Sequence, residues 1–177
     1  MKVQKETHGN KFIKSAVIIA LLLLTSGFAK AQDQLIFPFQ GGVTIMNRFF
    51  KDSLTVSQDI VQKRATGNVV VKFTADVNGN IKKIIIYYAD DYALTMPVIE
   101  AIKKSNHKWI IPDHEKLHDF IISFSINFNP PANENMALAK EVYNYYKQRH
   151  PIVSVNQVPI DDVTLLPTVA VNYDLPN

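Results

Sequence analysis

His114-Glu115-Lys116-Leu117-His118 spells H-E-x-x-H, the one run in this chain whose residue types and spacing name a reaction. On a helix the two imidazoles share a face and bind zinc, with the glutamate as general base for a metal-bound water. That chemistry needs several turns of helix and a third ligand. Pro112 lies two residues upstream, and a strictly alternating run begins near Phe120, which leaves about one and a half turns between them. Asp113 and Asp119 flank the motif where a core helix would carry apolar residues. Glu134 and Glu141 are the downstream carboxylates, and the first sits just past Pro130-Pro131. The surroundings predict a solvated loop between a helix and a strand. A zinc metallopeptidase built on His114, Glu115 and His118 is the weaker alternative. No cofactor is expected.

Other chemistry is thinner. The chain has 177 residues and no cysteine, which excludes disulfides, thiol catalysis, zinc–thiolate sites and a lipid anchor on cysteine. Gly41-Gly42 stands alone and is no phosphate loop, and no serine sits in G-x-S-x-G. Asp90-Asp91 and Asp161-Asp162 read as turn or cap residues, and Tyr87-Tyr88 and Tyr145-Tyr146 as packing groups. His150, just before Pro151, reads as a helix-end cation. The pI near 9.0 invites a nucleic-acid partner, but the basicity is local. Residues 1–32 hold five lysines against one glutamate, whereas residues 33–177 hold 14 basic against 15 acidic side chains. The body carries no footprint for a polyanion, so no nucleic acid is expected.

The elements that must position any site follow from periodicity. Lys2, Lys5, Lys11 and Lys14 precede an apolar run from Ser15 to Ala29, and Ala29-Lys30-Ala31 offers a small-residue cleavage site. The run is shorter than the roughly 20 residues a bilayer needs, so residues 1–31 read as a cleaved signal peptide and the product as periplasmic. A retained inner-membrane, single-pass anchor is the alternative. After Gly41-Gly42, the spacing of Val43, Ile45, Met46, Phe49 and Phe50 predicts a helix ending near Ser53. A short helix over Ile60–Ala65 follows, capped by Ser57 or Asp59 and closed by Gly67. Val69, Val71, Phe73, Ala75 and Val77 alternate with Val70, Lys72, Thr74 and Asp76, and Asn78-Gly79 then predicts a tight two-residue turn with positive φ at both positions. The return strand places Ile84, Ile86 and Tyr88 on one face.

Leu94, Val98, Ala101 and Ile102 mark a crossover helix with Thr95 as N-cap and Pro97 in its first turn. Phe120, Ile122, Phe124, Ile126 and Phe128 alternate with Ile121, Ser123, Ser125 and Asn127, a half-buried third strand. A right-handed crossover gives a two-layer α+β domain over residues 32–129, in the order α-α-β-β-α-β. Its three-stranded antiparallel sheet, ordered 2-1-3, has helices on one face and leaves strand three at an open edge. Past Pro130-Pro131, residues 130–177 predict a helix over Met136–His150, then a tail punctuated by Pro151, Pro159 and Pro167. That tail is expected to be extended on the domain or in solvent. The sharper reading makes it a strand that blocks the open edge.

These elements and their punctuation resemble the TonB C-terminal domain family from about Phe37 to Phe128. Phe37-Pro38-Phe39-Gln40-Gly41-Gly42 with Met46 and Phe49-Phe50 is similar to the family's Phe-x-Gly-Gly start and first helix. Gly67 through Phe73 is similar to its glycine-led strand, and Asp76 through Ile81 to its Asp-x-x-Gly-x-Val turn. Leu94, Trp109 and Pro112 are similar to its Leu-Asp…Trp-x-x-Pro stretch. Thr55-Val56 stands where the family usually has Tyr-Pro, and Thr95 where it has aspartate. The long Pro-rich linker of the energy transducers has no counterpart here, and the apolar run lacks a histidine. The resemblance implies a non-enzymatic envelope module, linked to TonB-dependent transmembrane transport. Its last strand would accept an extended segment of an envelope protein or outer-membrane receptor. A membrane-anchored energy transducer is the alternative. On this reading Ile121, Ser123, Ser125 and Asn127 are the partner-facing side chains, and a homodimer through the same open edge is a further expectation.

Overall fold

A computed structural model describes residues 37–131, 136–155, 160 and 162–175. The apolar run at 15–29 and the signal-peptide reading lie outside the described residues, as does Glu134. The elements are α1 (Gly42–Ser53), α2 (Gln58–Lys63), β1 (Gly67–Asp76), β2 (Ile81–Ala89), a 3-10 turn (Tyr92–Leu94), α3 (Thr95–Lys104), β3 (Leu117–Phe128), α4 (Met136–Gln148), β4 (Ile152–Val153), β5 (Thr164–Leu165) and β6 (Val169–Tyr173). Among the described residues no helix is long and apolar enough to cross a membrane.

The helices start and stop for local reasons. Gly41 enters α1 at φ 88°, and a Cβ there would lie 2.9 Å from the Ile45 side chain, so only glycine fits. Met46 and Phe50 are the buried side of α1, while Val43 and Ile45 stay exposed. Ser57 caps α2 by accepting the Ile60 N–H at 3.4 Å. Arg64, at φ 53°, ends that helix, not Gly67. Gly67 instead opens β1 where the backbone passes close to a side chain: a Cβ there would lie 2.5 Å from Asp90 Cβ. Asp91, not Thr95, caps the turn into α3, accepting the Ala93 N–H at 2.8 Å, and Pro97 does sit in the first turn of α3.

The hairpin between β1 and β2 is wider than expected. Of Asn78 and Gly79 only the glycine has positive φ, at 72°. Asp76 Oδ1 gathers the N–H groups of Asn78 and Asn80, both at 2.9 Å, and the Gly79 N–H donates to Asp76 O at 2.8 Å. This is a longer loop with glycine at its left-handed position. Register shifts at Val70/Val71 and Thr74/Ala75 insert extra residues into β2. As a result Tyr88 pairs with Val70 on the outer face and does not share the inner face with Ile84 and Ile86.

The core of the sheet follows the expected order, with β1 between β2 and β3 and both pairs antiparallel. The whole sheet does not. It is mixed, six-stranded and open, with the path β4-β2-β1-β3-β5 and β6 also on β3. The expectation of three strands with a free third edge is therefore corrected. The reason is in the C-terminal segment: Val169, Val171 and Tyr173 alternate with Ala170 and Asn172, and the three larger side chains are buried. Burying each contributes about 1.5–3 kcal/mol, a gain lost if the segment stays in solvent. Strands β4, β5 and β6 thus place parts of residues 130–177 in the same sheet as residues 67–128.

The inner face of the sheet and the helices enclose an aromatic cluster. Trp109 meets Phe39 at 5.1 Å, Phe73 at 4.6 Å and Phe120 at 5.2 Å between ring centroids. Its indole N–H donates to Ser105 Oγ at 2.9 Å, so the buried polar atom is satisfied. Residues far apart in the sequence, Phe39 and Trp109 among them, pack here as one unit.

Candidate binding edges and the His118 cluster

Strand β3 runs between β1 and the C-terminal strands, which pair with Phe120–Ile121 and Phe124–Phe128 and leave Ile122 and Ser123 between them without a described strand partner on that side. Ile121 pairs with Leu165, Ser125 with Ala170 and Asn127 with Asn172, all in parallel register. Asn127 Nδ2 donates to Asn172 Oδ1 at 3.3 Å, and the Leu166 N–H donates to Ile121 O at 2.8 Å. Pro167 has no N–H to give, and it separates β5 from β6. Ile121, Ser123, Ser125 and Asn127 are half-buried on the outer face, opposite Lys72, Val70, Asn68 and the β1–β3 end respectively in the pattern of alternation. For Ile121, Ser125 and Asn127 the assignment to an open edge is corrected, while Ser123 lies in the gap between β5 and β6.

The tail is also held by side chains. Tyr173 is buried, and its hydroxyl reaches two carbonyls at the end of α2, Ala65 O at 2.9 Å and Ile60 O at 3.2 Å. Burial pushes its phenol up to about 12. At the other end of β3, His118 joins the preceding turn to β5. Its Nδ1 lies 2.7 Å from Glu115 Oε2 and its Nε2 lies 2.7 Å from Thr164 Oγ1 on β5. In the neutral tautomer that carries its proton on Nδ1, Nδ1–H donates to the carboxylate and Nε2 accepts the Thr164 hydroxyl proton.

This cluster overturns the helical zinc geometry. Strand β3 begins at Leu117, so His118 is a buried strand residue and not part of a solvated loop. His114 sits in a turn at φ 72° and is exposed. The two imidazoles do not share a helical face, and both nitrogens of His118 already have protein partners. Among the described residues no group of three or more metal-binding side chains converges. A hydroxyl, an imidazole and a carboxylate in series also form the skeleton of a nucleophilic relay. Here His118 lies edge-on against Phe120 at 4.8 Å between centroids. The adjacent depression, lined by Trp109, Pro112, His114 and Glu115, reaches neither His118 nor Thr164. What the arrangement does is tie β5 to the start of β3.

The opposite side of the sheet is different. Strand β4 covers only Tyr88 and Ala89 of β2, and Ser154 N–H adds a bond to Tyr87 O at 2.9 Å. From Ile81 to Ile86, β2 has no strand on its far side among the described residues. Ile81 N–H is taken by Asn106 Oδ1 at 2.8 Å. One ion pair ties β2 to the end of β1, and another ties β1 to β3. Asp76 pairs with Lys82 at 2.9 Å, and that ammonium, with the Asn80 amide, holds its carboxyl well below the usual range. On the outer face Lys72 is buried against Asp119 at 2.7 Å, and Thr74 Oγ1 donates to the same carboxylate at 2.5 Å. Burial pulls the Asp119 carboxyl up, but the bonds from Lys72 and Thr74 outweigh it and hold it below its ordinary value.

Sequence reasoning missed Thr164 and the open stretch of β2. The first gave no signal, since one threonine beyond two prolines has no pattern. The second is set by how far β4 extends. Against this geometry, no family model, no curated protein and no solved structure matches the chain.

Proposed function

We propose that this chain is an exported, non-enzymatic protein-interaction module of the TonB C-terminal type. It acts in the periplasm and holds an extended segment of an envelope protein or outer-membrane receptor as an added strand, in the service of TonB-dependent transport. The observation that carries this reading is the run Lys82–Ile86, which among the described residues has no strand on the side of β2 away from β1. Free N–H and C=O groups on a rigid edge supply a partner strand with a backbone ladder, and the flanking side chains select it.

Magnitudes favour β2 over β3 as the acceptor. A segment landing on β3 must first expel Leu166, Val169, Val171 and Tyr173, all buried, at about 1.5–3 kcal/mol each in lost burial. A segment landing on Ile81–Ile86 expels no described strand. The β3 side supports the reading in another way: it illustrates that this sheet takes an extended segment with alternate side chains turned inward.

Photo-crosslinking in intact cells tests the proposal. A benzophenone side chain at position 83 is expected to trap an envelope protein, whereas one at position 127 is not. Adducts at 127 with none at 83 would return the site to β3, and adducts at neither would end the strand-addition reading. Sequencing the N-terminus of the exported protein distinguishes the cleaved form from an anchored transducer.

A further inference from the structure

We infer that the segment taken by β2 is short and acidic, with carboxylates at alternate positions; this rests on the strand-addition reading above. Its length follows from the two ends of the open run. At one end Asn106 Oδ1 occupies the Ile81 N–H, and at the other Ser154 N–H occupies Tyr87 O. Between these stops lie Lys82 to Ile86, room for a partner strand of about five residues at roughly 3.3 Å each.

Its charge follows from what lines the groove between β2 and α3. This groove of about 540 Å³ has Ile81, Ile84 and Ile99 as its apolar lining and Lys82, Lys83 and Lys103 as its charged lining. The three ammonium groups differ in availability. Lys82 is committed to Asp76, whose carboxylate also closes the hairpin loop. Lys103 pairs at 2.8 Å with Glu100 one turn earlier on the same helix, both more than half exposed, and such a pair is worth little against a better-placed carboxylate. Lys83 is exposed and has no carboxylate within ion-pair distance among the described residues.

A strand added to β2 lies along this groove. Side chains on one of its faces meet Ile84 and Ile99, and those on the other face meet solvent and Lys83. Lys83, exposed on this edge, also disfavours edge-to-edge pairing with a second copy of the chain, which would bring two such lysines into one ladder. One set of charges therefore both rejects self-association and selects an acidic partner.

The test uses the full chain and three blocked peptides of equal length, alternating valine with glutamate, glutamine or lysine. Binding is read by amide exchange at Lys82–Ile86 and by titration at two salt concentrations. The glutamate peptide is expected to protect those amides, to bind at least tenfold tighter than the glutamine peptide, and to weaken as salt is raised. A Lys83→Glu, Lys103→Glu double variant is expected to transfer the preference to the lysine peptide. Equal binding of the glutamate and glutamine peptides, both protecting β2, would overturn the acidic preference and leave strand addition standing. If none of the peptides protects Lys82–Ile86, strand addition at this edge falls with it.

Discussion

Replacing Tyr173 by phenylalanine removes one hydroxyl and nothing else, which makes it a clean probe of whether β6 is docked. The ring stays buried beside Phe128, 5.6 Å away between centroids, so burial of apolar surface is nearly conserved. What is lost is the bond to Ala65 O at 2.9 Å, shared with Ile60 O at 3.2 Å. Ile60 O still accepts the Ala65 N–H, so one carbonyl is left short of a partner. The net cost at pH 8 is about 1–1.5 kcal/mol. The pH profile adds a second, sharper expectation. The folded phenol titrates near 12 and the unfolded one near 10, so the unfolded chain releases its proton first as pH rises. Stability from this group is whole below about pH 10 and falls by about 1.4 kcal/mol per pH unit up to 12. The wild-type advantage over Tyr173→Phe is then used up near pH 11, where the two stability curves cross. Urea unfolding followed by the emission of Trp109, the single buried tryptophan, reads both quantities. Midpoints that coincide at pH 8, or a gap that persists unchanged to pH 12, would refute the argument and with it the docking of β6 on α2.

Four further outcomes are expected. Gly79→Ala places a Cβ 2.8 Å from Trp109 O at a φ of 72°, and should lower stability by about 2 kcal/mol in the same urea assay. Asp119→Asn removes the carboxylate opposite buried Lys72 and should cost about 3 kcal/mol at pH 7. Because the Asp119 carboxyl is held below its ordinary value, its contribution exists above about pH 4 and is lost as pH falls through the folded value; the variant's acid unfolding curve should be flatter in that range. His118→Ala unties Thr164 and Glu115, so amide exchange should speed up at Thr164–Leu166 before it does at β1. Zinc added to the full chain should leave its calorimetric midpoint unchanged, and a stoichiometric tight site abolished by His114→Ala would revive the metal reading.

Local patterns account for most of the inner sheet. The alternation from Phe120 to Phe128 and from Val69 to Ala75 is a property of neighbouring residues, so strands and inward faces were legible without any tertiary information. The same holds for Ser57 as a cap and Pro97 in a first turn, since both act within four residues. Tyr88 was misplaced because a bulge depends on how β2 registers against β1, and the register is a two-strand property. The H-E-x-x-H run shows the same division. Its flanking Pro112 and aspartates argued against a zinc helix, but nothing in five residues could announce that His118 would meet Thr164, 46 positions later.

By itself the sequence determined the three helices and the body of the three strands between Gly42 and Phe128, with most of their apolar faces, because those depend on spacing over a few residues. Only the tertiary structure decided which edge is open. Val169, Val171 and Tyr173 bury themselves along β3, whereas β4 stops after two residues of β2. An edge is defined by what is absent beside it, and that depends on where every other strand has found its burial.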